Sequence, residues 1–150
     1  MECDICLSFR RKIYDYGQFY IATAAHPASE GHIQVVYRRH APFASMSAEE
    51  FAIAAKLTKI GCSAVKKTFK ADGTKIIIEN GKMQPLRLFD LYIVNGVPFE
   101  LKGIHEDGRH MHIDIIPCYN DVSRYNEGRA GLGMRKDREI AKRLREAIMS

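Results

Sequence analysis

The chain has 150 residues, 46% of them hydrophobic and 27% charged, and a formal net charge of +5. That length buries a core without disulfides, and the composition excludes disordered and fibrous classes. No apolar run approaches the roughly 18 residues of a membrane span.

The start, Met1-Glu2-Cys3-Asp4-Ile5-Cys6, lacks the basic and apolar stretches of a secretion signal, so one cytoplasmic domain over residues 1–150 with reduced thiols is expected. Cys3 and Cys6 form a C-x-x-C pair, whose spacing fits two buried thiols, a redox pair or a metal site. Cys62 and Cys118 read as small packed hydrophobes.

Gln18 to Ala25 and His32 to Arg38 have strand character, joined by the Pro- and Gly-punctuated loop His26–Gly31. Ser47-Ala48-Glu49-Glu50 is a capping box that opens a helix over about 48–69. Its expected buried side is Phe51, Ala54, Leu57, Ile60 or Gly61, Ala64, Val65 and Phe69. Thr74 to Glu79, with three consecutive isoleucines, reads as a central strand ended by Asn80-Gly81. Leu88–Val94 and Val97–Leu101 flank Asn95-Gly96, a hairpin turn, and Pro98 makes the second arm an edge. Arg109 to Pro117 is a further strand, Asn120 to Gly133 a polar loop, and about 135–149 an amphipathic C-terminal helix.

Residues 124–150 hold eight basic and four acidic residues. Phosphate-bearing ligands, RNA included, are one reading of that bias. A solvated helix face is the other, because Ile140, Leu144 and Ile148 recur among the charges at helical spacing. The strand Arg109-His110-Met111-His112-Ile113-Asp114-Ile115 is more specific. A period of two sends His110, His112 and Asp114 to one face and the apolar residues to the other. Three adjacent titratable groups need pairing or a metal if they leave water; otherwise they form a polar ladder on an open face.

Together with Gly31-His32-Ile33-Gln34-Val35-Val36-Tyr37-Arg38-Arg39-His40 and the C-x-x-C, this strand resembles the histidine triad family of nucleotide hydrolases and transferases, over roughly Cys3 to Tyr119. That family's signature is His-φ-His-φ-His-φ-φ, with φ apolar. The third triad position here is Asp114. The resemblance implies an α+β fold: an antiparallel sheet of about five strands with a long packed helix and a C-terminal helix, here carrying an inserted hairpin near 87–101. It also implies a homodimer.

By the same resemblance, His112 would attack the α-phosphate of a nucleotide or dinucleoside polyphosphate and carry a covalent nucleotidyl group. An imidazole suits that work near pH 7, provided an acceptor fixes its tautomer. His32 would lie beside the phosphate and Asn80 would contact the nucleotide, with Asn95 the alternative. Cys3, Cys6, His40 and His110 would hold a structural zinc, a ligand set that zinc favours. Asp114 would repel phosphate by roughly 4 kcal/mol at about 4 Å if ionised. It would donate a hydrogen bond if burial kept it protonated, or it would pair with Arg109 or a lysine, or activate an acceptor. An enzyme of nucleotidyl hydrolysis or transfer is the first functional reading. A zinc-stabilised nucleotide- or RNA-binding module with little turnover is the second.

Overall fold

Lys12 to Thr23 folds as a hairpin because Gly17 takes a positive φ of 56° at the turn, which lets Tyr16 face Phe19. Its arms are β1 (Lys12–Tyr16) and β2 (Phe19–Thr23). This is a computed structural model and describes residues 3–25, 27–78, 91–94, 97–100, 110–125 and 134–150. A short helix α1 (Asp4–Leu7) precedes β1, and β3 (Ile33–Tyr37), α2 (Ala48–Phe69) and β4 (Gly73–Ile78) follow β2. Then come β5 (Leu91–Val94), β6 (Val97–Glu100), β7 (His112–Cys118) and α3 (Met134–Met149).

Five strands form one antiparallel sheet in the order β1-β2-β3-β7-β4, and β5 pairs with β6 separately, as expected of an inserted hairpin. The hairpin's Asn95-Gly96 turn lies outside the described residues. β7 is central, with Val36 opposite His112 on one side and Ile77 opposite Asp114 on the other. β4 is therefore an edge strand rather than a central one. Its triple-isoleucine run reads as fully buried, yet Ile76 and Ile78 are exposed on the last described strand of the sheet.

Phe19, Ile21, Ile33, Val35, Ile113 and Ile115 line one face of the sheet and pack against α2 and against Leu144 of α3. Ser47 caps α2 with the reciprocal hydrogen bonds of a capping box. Its buried side is as the periodicity predicts, with two differences. Phe51 is exposed because it packs edge-on against Phe43 beyond the sheet, and Thr58 is buried because its hydroxyl donates to the Ala54 carbonyl. Gly31 takes a φ of 86°, and a Cβ there would meet the Phe69 ring at 2.5 Å, so this position both reverses the chain and lets α2 approach.

The basic C-terminal helix is used inside the fold. Arg143 donates to the Thr68 carbonyl in the last turn of α2, and Arg145 donates to the Ile13 carbonyl. No helix among the described residues is long and apolar enough to cross a membrane.

Candidate active site and metal centre

The second face of the sheet carries the polar residues, and α1 folds over part of it. Ile5 packs against Tyr20, Ala22 and Val36, while the Tyr20 hydroxyl bonds to Ser8 at 2.9 Å and donates to the Ile5 carbonyl. This packing brings the C-x-x-C beside the start of β7. Cys6 Sγ lies 3.3 Å from Nδ1 of both His40 and His110, and Cys3 Sγ lies 3.5 Å from His110 Nδ1. All four ligand atoms fall within 4.8 Å of one another. A tetrahedral zinc with sulfur at ~2.3 Å and nitrogen at ~2.0–2.1 Å sets those ligands ~3.5 Å apart. The three Cys–His distances of 3.3–3.5 Å match that spacing.

His110 is also oriented as a ligand. Its Nε2–H donates to the Tyr37 carbonyl at 2.6 Å, which puts the Nδ1 lone pair toward the sulfurs. The His110 carbonyl in turn accepts the Nδ1–H of His112 at 2.9 Å. The proton of a neutral His112 therefore sits on Nδ1, and the lone pair is on Nε2. That carbonyl is the acceptor the sequence could not identify.

Next along the face, the Ala28 amide donates to His32 Nδ1 at 3.0 Å, and His32 Nε2–H donates to Asp114 Oδ1 at 2.8 Å. An amide donating to Nδ1 requires a bare nitrogen there, so His32 is the neutral Nε2–H tautomer. Gln34 Nε2 adds a second donor to Oδ1 at 3.0 Å, while Oδ2 stands 3.4 Å from His112 Nε2. His32 is 4% exposed, and Gln34, His112 and Asp114 are fully buried. Of the two readings of His-x-His-x-Asp, the buried and paired one holds, not the ladder on an open face.

Burial by itself would raise the Asp114 carboxyl, but the His112 and His32 imidazoles it faces outweigh burial and hold it well below the usual carboxylate range. It is an ionised acceptor, not a protonated donor. Its described partners are His32, Gln34 and His112; Arg109, expected along with a lysine as a partner, lies outside the described residues. So do Asn80 and Asn95. Gln34 was missed in the sequence, although it lies two residues from His32 on the same face of a strand and is the one polar residue in an apolar run.

No curated protein matches the chain significantly by sequence. The structure is similar to a hypothetical histidine triad nucleotide-binding protein from Sulfolobus tokodaii, with a TM-score of 0.70 at 19% identity, covering 98% of this chain and 92% of that one. A Zn-bound histidine triad family protein from Mycobacterium smegmatis gives 0.63 at 19%, covering 99% and 94%. Diadenosine triphosphate hydrolase from Plasmodium falciparum, in complex with cyclomarin A, gives 0.62 at 16%, covering 93% and 77%. At these identities the likeness is one of fold. The HIT domain itself matches residues 9–85, a span that includes His32 and His40 and ends before the His110–Asp114 strand. Because that match takes in just over half of the chain and the fold agrees with it, the chain belongs to the histidine triad family.

Proposed function

We propose that the protein binds a nucleotide or dinucleoside polyphosphate and hydrolyses or transfers its nucleotidyl group through a covalent nucleotidyl-His112 intermediate. The observation that carries this reading is the His112 Nδ1–H bond to the His110 carbonyl, which puts the lone pair on Nε2. Nε2 attacks the α-phosphorus, the bond to the leaving group breaks, and the Nδ1–H stays on the carbonyl to stabilise the imidazolium that forms. An acceptor, water or another nucleophile, then takes the nucleotidyl group and restores neutral His112. His32 acts through Asp114, to which its Nε2–H is committed.

Cys3, Cys6, His40 and His110 would hold zinc, which supplies no chemistry in this scheme. It cross-links α1 to the start of β7 and so steadies the carbonyl that orients His112. In favour of a homodimer stands the β4 edge, where the exposed Ile76 and Ile78 offer an apolar margin for a second copy.

The second reading is a zinc-stabilised nucleotide-binding module with little turnover. One observation favours it: the buried carboxylate only 3.4 Å from the nucleophilic nitrogen. RNA binding by the tail is weakened, since Arg143 and Arg145 are spent on internal carbonyls.

Single-turnover assays over a panel of nucleotides and dinucleoside polyphosphates separate the two. The enzyme reading expects His112→Ala to abolish turnover while nucleotide affinity stays within about tenfold, because a transition-state group contributes to rate more than to binding. Turnover that survives in His112→Ala overturns it.

A further inference from the structure

In this site the negative charge of Asp114 is fixed in place. Oδ1 is held by two donors from β3 or its approach, His32 Nε2 at 2.8 Å and Gln34 Nε2 at 3.0 Å, so the carboxylate cannot swing away. Oδ2 is buried and lies 3.4 Å from His112 Nε2. The Ala28 amide donates to His32 Nδ1, so the Nε2–H of His32 meets Asp114 as a hydrogen-bond donor. A phosphorus in contact with Nε2 must therefore sit within a few ångströms of a fixed anion. Each further charge on that phosphoryl group is repelled in a medium where like charges are poorly screened.

We infer that Asp114 is a specificity residue that selects phosphoryl groups by charge. It admits an esterified phosphate carrying one negative charge to His112 and rejects a terminal phosphate dianion. The inference rests on the proposed nucleotide site at His112 and adds the residue that sets its charge preference. Free nucleoside monophosphate, the product of hydrolysis, would leave readily for the same reason.

The test compares adenosine 5′-monophosphate with its methyl ester by calorimetry at pH 8. The free phosphate is a dianion there, since its second ionisation lies at about pH 6, and the ester is a monoanion. Wild-type protein should bind the ester at least about tenfold more tightly. In Asp114→Asn, which keeps an acceptor oxygen for His32 and Gln34, the preference should fall to within about twofold. Equal or tighter binding of the free phosphate by wild-type protein overturns the charge filter, whether or not the variant folds. An ester preference that persists in Asp114→Asn overturns its assignment to Asp114. If neither compound binds, the nucleotide site at His112 fails, and the filter fails with it.

Discussion

Asp114 joins both halves of the site, and its replacement separates its charge from its hydrogen bonds. Asp114→Ala would leave the buried donors of His32 and Gln34 unmet, each at a cost of about 1–3 kcal/mol, so it should destabilise far more than Asp114→Asn in urea titrations. Acid should reveal the charge. The folded-state carboxyl is held below its unfolded value of about 3.9, so its stabilising contribution is present above that pH and is lost as pH falls through the folded value. Urea midpoints of wild type and Asp114→Asn should therefore converge below about pH 4. A gap that widens on acidification would contradict the assigned direction. A period of two puts His110, His112 and Asp114 on one face, and the family resemblance supplies His32, whereas neither marks Gln34. The backbone groups were not legible, because the Tyr37 and His110 carbonyls and the Ala28 amide carry no residue signature.

At the scale of elements, the junction of the β3 approach with α2 depends on Gly31. Gly31→Ala would force a side chain into positive φ and drive its Cβ into the Phe69 ring. Overpacking costs about 1–3 kcal/mol and the backbone conformation about 1 more, so a loss of about 2–4 kcal/mol is expected by chemical denaturation. Ser47→Ala should cost about 1 kcal/mol, since one helix donor loses its cap. The sequence announces the start of α2 because capping chemistry and periodicity agree, while its end, at Lys70 in the left-handed region, carries no cap residue. β1 went unassigned, although Gly17 marks its turn, since Ile13 is its one fully buried side chain. The edge position of β4 was illegible for a different reason: the run Ile76-Ile77-Ile78 encodes hydrophobicity, not which neighbour will cover it.

For the whole molecule, the Cys/His cluster clamps the first residues onto the sheet, and its loss should loosen more than the N-terminus. Metal analysis of untagged protein is expected to give about one zinc per chain. Replacing Cys3 and Cys6 with Ser should remove the metal and lower the melting temperature, because binding free energy at a structural site is folding free energy. Metal-free protein with an unchanged melting temperature would contradict that role. The central claim, that His112 carries the nucleotidyl group, is tested most directly by quenching the protein with nucleotide substrate, digesting it and mapping the adduct by mass. The account predicts a nucleoside monophosphate mass on the peptide containing His112, absent from His112→Ala. An adduct on another residue, or turnover with none trapped on His112 even when the acceptor is withheld, would contradict it.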